Sequence, residues 1–282
     1  MTDTSSMMKT IRASSLPMLF NCPKQFMHKT EAEDYGKEAG EESAQTGSLV
    51  HLGIAAYHET SDTRKGVKAI ELGACKFPLA DVKKALGWFH KYPAKYATNA
   101  KGKVKFIEQK VTFALPGTKD ETITVIGTVD LVVESATAIY VIDHKSGPGP
   151  ADYMLKQYAP QIAAYMFGVW HLMKRPKKPV FGFVCRIQDL HWADGKFYHD
   201  IGFDLKGAEK KLNEAAALYE LHTVVSTPGK HCSYCPLVHP HCWLTPQGAG
   251  GEKSATNMQG GTRRALTNIA DLFKANNTKQ EN

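Results

Sequence analysis

The chain has 282 residues, 43% of them hydrophobic and 22% charged, a composition that fits a globular protein with its own core and excludes a disordered or fibrous one. No apolar run reaches the ~20 residues that a membrane span needs, and Met1 to Ile11 lacks the apolar stretch of a secretory signal, so the cytoplasm is the expected setting. The formal net charge of +7 is unevenly placed: eleven Lys or Arg against three acids fall between Ser61 and Lys105, which suits a nucleic-acid backbone and equally a solvated helical surface.

Ser14 to Lys29 reads as helical, with Ser14 or Ser15 as N-cap and a break or kink at Pro23. The acidic stretch Glu31 to Glu42 reads as a solvated face or loop, followed by a helix over Gly47 to His58. A second helical pattern spans Asp81 to Tyr92 and stops at Pro93. From Val104 the period changes to that of strands: Val104 to Leu115, Thr122 to Glu134 and Ala138 to Asp143 are rich in β-branched and aromatic residues. Pro116-Gly117 turns between the first two. After Gly147-Pro148-Gly149-Pro150 come a helix, Tyr158 to Met173, strands at Val180 to Ile187 and Lys196 to Phe203, and a closing helix, Lys206 to Thr223. This order predicts an α/β sandwich with helical additions. Gln247 to Gly261 is a glycine-rich linker, and the short apolar segment beyond it could dock a protein partner or serve no purpose.

Two acids carry the candidate chemistry. If Gly127-Thr128-Val129-Asp130 and Val141-Ile142-Asp143-His144-Lys145 form one hairpin, Asp130 and Asp143 converge at one end of a sheet. Two carboxylates there form a hard oxygen site suited to Mg²⁺ or Mn²⁺. Strand alternation turns Lys145 to the same face as Asp143, where a cation can orient water and offset charge on a phosphoryl group. A charged strand end facing solvent is the plain alternative. Glu108, in Phe106-Ile107-Glu108, reads as an ordinary exposed strand residue.

These motifs together resemble the RecB-like branch of the PD-(D/E)XK nucleases. Gly47-Ser48-Leu49-Val50-His51 is similar to that branch's Gly-x-x-x-His, Asp130 and Asp143-His144-Lys145 to its acidic strands, and Gln161-Ile162-Ala163-Ala164-Tyr165 to its Gln-x-x-x-Tyr. The resemblance implies a restriction-endonuclease-like core and a metal held by His51, Asp130, Asp143 and the His144 carbonyl. It also implies a catalytic set of Asp130, Asp143 and Lys145, with Gln161 and Tyr165 contacting DNA or bracing the lysine. An imidazole beside carboxylates would favour Mn²⁺ over Mg²⁺. The implied activity is DNA cleavage from an end; a non-catalytic DNA-binding protein on the same fold, with a structural zinc site, is the alternative.

Of six cysteines, Cys75 and Cys185 sit among apolar neighbours and read as small core residues. Cys232-Ser233-Tyr234-Cys235 and Cys242 suit a tetrahedral metal or an iron–sulfur cluster lacking one ligand, for which Cys22, before Pro23, is the candidate. In the iron–sulfur members of the RecB-like branch, such as AddB and the CRISPR-associated adaptation nucleases, one early cysteine before a proline joins three late ones. That likeness implies a 4Fe–4S clasp. The last gap here is six residues where five is usual, so zinc with His231, His239 or His241 stays open. Residues 1–246 therefore read as one nuclease domain: a helical part (14–105), a catalytic α/β core (104–205) and a closing helix with the cysteines (206–246). Residues 247–282 read as a tail. Trp88, Tyr92 and Tyr96 recur every four residues and are expected to face the core, leaving Lys84, Lys91 and Lys95 for DNA.

Overall fold

The computed structural model describes residues 10–31, 41–118, 123–146, 151–191 and 197–220. Cys232, Cys235, Cys242, the neighbouring histidines, the Gly-Pro stretch at 147–150 and the tail from 247 onward lie outside these residues. The chain enters along a three-residue strand, Thr10–Arg12 (β1), that the sequence pattern did not indicate. Helix Leu16–Asn21 (α1) ends where expected: Cys22 takes extended backbone and Pro23–Glu31 (α2) begins directly after it, because proline disfavours helical backbone in the residue before it.

Glu41–Thr60 (α3) starts six residues before the expected Gly47. The basic region holds three helices where one was expected. Thr63–Gly73 (α4) is capped by the Asp62 carboxylate, which accepts from the Arg64 N–H at 2.9 Å. Leu79–Phe89 (α5) is followed by Tyr92–Asn99 (α6), and Pro93 lies in the first turn of α6. Proline lacks an N–H that a first turn would leave unpaired anyway, so Pro93 opens a helix as well as ending the one before.

The strands are Lys103–Ala114 (β2), Thr124–Glu134 (β3), Ile139–Lys145 (β4), Val180–Arg186 (β5) and His199–Asp200 (β6). Ala151–Leu172 (α7) crosses between the parallel pair β4 and β5, beginning seven residues before the expected Tyr158, and Leu205–Glu220 (α8) follows β6. Among the described residues these make one six-stranded mixed sheet. β2 lines one edge of β3 from end to end. The other edge is divided: β1 runs parallel to Thr124–Ile126, and β4 runs antiparallel to Leu131–Glu134.

Each face of the sheet buries its own core, as a sheet between two helical layers must. On one side Val111, Val125, Val141 and Val184 pack under α1, α7 and α8. On the other, Leu131, Val133, Ile142 and Cys185 meet Leu49, Phe89 and Tyr92 of α3, α5 and α6. Trp88, Tyr92 and Tyr96 are buried here, as their spacing predicts, and so is Cys185. Cys75 is exposed, contrary to expectation, because it sits in a single 3-10 turn after α4, off the packed helix faces. No helix among the described residues is long and apolar enough to cross a membrane.

Candidate active site

The β3–β4 ladder stops at Leu131 opposite Ile142. In register, the next pair would be Asp130 and Asp143. Instead the strands part, and the Asp130 side chain takes over the role of the ladder: its Oδ2 accepts the His144 backbone N–H at 2.6 Å. A buried N–H left unpaired there would cost about 1–3 kcal/mol, so this carboxylate is part of the strand's architecture as well as of the site.

The partner strand is irregular at the same level. Ile107 pairs with Leu131 and Gln109 with Val129, which sets Glu108 opposite Asp130. Glu108 has a φ of 46°, a left-handed backbone uncommon for a non-glycine residue. On β3, Val125 and Val129 face the α7 side while Leu131 and Val133 face the α3 side, although all four are odd-numbered. The sheet therefore changes face at the Glu108–Asp130 pair. Both carboxylates turn out of the ladder into one cleft.

Helix α3 brings His51 to this point. A Cβ on Gly47 would lie 2.6 Å from the Ser146 Oγ, so with glycine here α3 meets the end of β4 without displacing the Ser146 side chain. The His51 Nε2–H donates to the His144 carbonyl at 3.1 Å. That fixes the ring orientation and leaves Nδ1 facing Asp130 Oδ1 at 3.6 Å and Glu108 Oε1 at 3.9 Å. One donor atom each from His51, Glu108 and Asp130 lies within 4.8 Å of the others, a set that fits a divalent cation. The His144 carbonyl, expected to face a metal, has one lone pair taken up by His51.

Asp143 and Lys145 share the opposite face of β4, toward α7, as alternation requires. Lys145 Nζ lies 2.8 Å from Asp143 Oδ2 and 4.5 Å from the centre of the Tyr158 ring. Gln161 Nε2 donates to the Tyr165 hydroxyl at 2.8 Å and reaches Asp143 Oδ1 at 3.4 Å. Tyr165 in turn packs on the sheet where Gly127 has no side chain; a Cβ there would come within 2.8 Å of its ring. The Gly-x-x-Asp and Gln-x-x-x-Tyr spacings are thus two halves of one steric fit. Gln161 and Tyr165 brace Asp143, the neighbour of the lysine.

Charge is concentrated here, and the neighbouring groups shift one another. Burial works against a charge on His51, yet Asp130, Glu108 and Asp143 together push its pKa up to about 9. Burial would raise Asp130, but His51, His144 and Lys145 hold it well below the usual carboxylate range. Asp143 is raised by burial and by Asp130, against the pull of Lys145. Lys145 loses solvation too, but Asp143 and Asp130 more than restore its charge and lift its pKa above the ordinary value.

The cleft, about 690 Å³, is lined by His51, Glu108, Asp130, Asp143, Lys145 and the α7 residues, so the residues singled out for chemistry meet in one place. Glu108, a strand residue that from the sequence is either an exposed acid or a support for the centre, is exposed and lies within reach of His51 and Asp130. Its only mark is an acid opposite Asp130, which is visible once the register is known. Lys84 lies on α5, Lys95 on α6 and Lys91 in the turn between them, and none is among the cleft-lining residues; Lys84 sits 5.0 Å above the Trp88 ring. Cys22 is buried at the α1–α2 junction. One turn on, Phe26 meets Tyr219 of α8 edge-on at 6.2 Å, so the end of α8 returns to the neighbourhood of Cys22.

No curated protein matches the chain. Among solved structures, it is similar to that of SSO0001, with 12% identity and a TM-score of 0.44 over 84% of this chain and 87% of that one. Residues 11–240 match the PD-(D/E)XK nuclease superfamily; the chain belongs to that superfamily, and its mixed sheet flanked by helices is the corresponding restriction-endonuclease-like fold.

Proposed function

We propose that the protein is a divalent-metal-dependent deoxyribonuclease that cleaves DNA from an end, leaving a 5′-phosphate and a 3′-hydroxyl. The observation that carries this reading is the meeting of three donors from α3, β2 and β3 with the Asp143–Lys145 pair of β4 in one cleft. His51, Glu108 and Asp130 would hold Mg²⁺ or Mn²⁺, with Asp143 as a further oxygen donor. When bound, the cation supplies Lewis acidity to the scissile phosphoryl group and to the attacking water. Lys145 keeps its proton beside Asp143, orients that water and offsets the charge that builds on phosphorus. Gln161 and Tyr165 keep Asp143 in place for it. Lys84, Lys91 and Lys95 contribute to DNA binding through charge, away from the cleft.

The proposal extends to the cysteines. Cys22 with Cys232, Cys235 and Cys242 would hold a 4Fe–4S cluster as a clasp between the two ends of the domain. The return of α8 toward α2 at the Phe26–Tyr219 contact supports this reading. The tail from 247 onward would dock a protein partner.

The test is an anaerobic preparation incubated with 5′- and 3′-labelled DNA and each divalent metal in turn, with iron and zinc measured on the same sample. Metal-dependent release of nucleotides from one end is the expected result, abolished in Asp143→Ala with the iron content unchanged. Full activity in Asp143→Ala would overturn the assignment, and zinc in place of iron would overturn the cluster.

A further inference from the structure

At the far end of β3 from Asp130, a second cavity of about 580 Å³ opens between the start of β2 and the turn from β3 to β4. Lys103, Lys105 and Lys178 line it, against one acid, Glu134. The Glu134 carboxylate sits between two of the lysines: Oε1 accepts from Lys178 Nζ at 2.7 Å, and Oε2 lies 3.5 Å from Lys105 Nζ. Lys178 also donates to the Ser135 carbonyl at 3.0 Å. Lys103 is exposed and stands directly across the ladder from Glu134. Three cations against one anion leave two positive charges in excess, which the proposed chemistry does not use.

The backbone under these lysines is closely fitted. Val104 pairs with Val133 and Phe106 with Val132, so Lys105 is the extra residue of a β-bulge. A bulge bends its strand and re-aims a side chain, and here the side chain of Lys105 reaches Glu134. Gly102 lies against the turn: a Cβ there would come within 2.5 Å of the Glu134 carbonyl oxygen, an approach that glycine allows. The turn itself is closed by the Ser135 Oγ, which accepts the Ala138 N–H at 2.9 Å. Lys178 beside it holds the Glu134 carboxyl below its usual range, so it stays ionised and keeps both ammonium groups near it. The side chains of Lys105 and Lys178 are 47% and 36% exposed against 26% for Glu134, which leaves the cations outermost.

A lysine offers a compact charge with three rotatable donors, which fits a phosphate oxygen approaching from solvent. We propose that Lys103, Lys105 and Lys178 bind backbone phosphates of the DNA strand whose end enters the cleft. Lys105 is three residues from Glu108 on β2, about 10 Å along the strand. Glu134 is four residues from Asp130 on β3, about 13 Å. Among the described residues β2 pairs with β3 alone, so its outer edge joins the lysine cavity to the cleft. Each strand of a duplex carries one phosphate per roughly 3.4 Å of axis, which puts these contacts about three to four nucleotides from the scissile bond. The proposal rests on the nuclease reading for that distance, not for the phosphate contact itself.

DNA binding followed by fluorescence anisotropy over a salt series, with EDTA present so that nothing is cut, counts the contacts. Each phosphate contributes about 0.9 to the slope of log K against log salt on duplex and about 0.7 on a single strand. Exchanging both Lys103→Gln and Lys105→Gln should flatten the slope by about 1.4–1.8. Lys103→Arg with Lys105→Arg should preserve it. An unchanged slope in the glutamine variant overturns the proposal, and so does an equal loss in the arginine variant, which would point to a disturbed bulge instead. Single methylphosphonate links, each removing one backbone charge, then locate the contact. A link about three to four nucleotides from the cleaved bond should weaken binding to the wild type and have no effect on the glutamine variant. Equal weakening in both proteins at every position overturns the proposal. Metal-dependent cleavage with an unchanged slope would leave the nuclease reading standing without this contact, and the expected slopes in a protein that cuts no DNA would do the reverse.

Discussion

Mn²⁺ binding should be steeply pH-dependent, with His51 setting the slope. Its Nε2–H is tied to the His144 carbonyl, so the proton that titrates is on Nδ1, the atom facing Asp130 and Glu108. In the metal-free protein its pKa is pushed up to about 9, because Asp130, Glu108 and Asp143 outweigh the burial that opposes a charge. A cation taking up the same position must expel that proton first. From pH 9 to pH 7 the expulsion costs two units at 1.36 kcal/mol each, about 2.7 kcal/mol, or roughly a hundredfold in affinity. Calorimetric titration of Mn²⁺ should show the Kd falling about tenfold per unit between about pH 6.5 and 8.5. Repeating it in buffers of different ionisation enthalpy should count about one proton released per ion. In His51→Gln the affinity should be weaker at high pH and its slope should flatten. A wild-type affinity indifferent to pH, or a slope that persists without His51, would refute the reasoning.

The same shift predicts the pH dependence of stability. A histidine whose folded pKa lies above its unfolded value of 6.5 stabilises the fold fully below that value and ceases to as pH rises through about 9. Metal-free protein should therefore melt progressively lower over that window in calorimetric scans, and saturating Mn²⁺ should remove the trend. At Glu108 the usual ranking of small residues in a strand should invert: with φ at 46°, Glu108→Gly should be more stable than Glu108→Ala by about 1 kcal/mol in urea titrations, while both bind Mn²⁺ more weakly. Ala as the more stable of the two would mean the left-handed backbone is not kept in solution. Gly127→Ala should destabilise by about 1–3 kcal/mol, since its Cβ would stand 2.8 Å from the Tyr165 ring and 3.0 Å from the Ala13 Cβ. Tyr165→Leu should recover part of that loss, which a cycle of the two substitutions measures.

The sequence made the centre legible where chemistry and period coincide. Asp143 and Lys145 on one strand face, the hairpin that aligns Asp130 with Asp143, the break at Pro23 and the inward aromatics of α5 and α6 all follow from alternation, helical spacing and proline geometry. What escaped depends on partners far away in the chain. β1 is three residues long and exists because the upper edge of β3 is vacant for it. Helix α4 carries Gly66 in its middle, which lowers its propensity; the glycine is there because a Cβ would meet the Phe89 ring at 2.1 Å and the Gly53 carbonyl at 2.7 Å. Glu108 looked like any exposed strand acid, and its left-handed backbone has no signature in Phe106-Ile107-Glu108. Cys75 has apolar neighbours in sequence, yet its place in a 3-10 turn leaves it exposed.

The position of the centre follows from how the sheet is interrupted. A carboxylate that must reach a cation cannot also lie flat in a ladder, and a continuous β3–β4 pairing would have left Asp130 and Asp143 as ordinary cross-strand neighbours. The strands part at that pair. Ending a ladder inside a protein exposes backbone groups that need partners, and here the groups nearest the break are met by side chains that also line the cleft: Asp130 takes the His144 N–H and His51 gives its own N–H to the His144 carbonyl. The left-handed turn at Glu108 adds strain of about 1–3 kcal/mol, tolerable because Leu131, Val133 and Ile142 are buried directly beside it and pin the register. Removing a donor at this site therefore also removes a structural partner. Activity loss in His51 or Asp130 variants needs a conservative control, such as Asp130→Asn, whose amide oxygen can still accept the His144 N–H while giving up the charge.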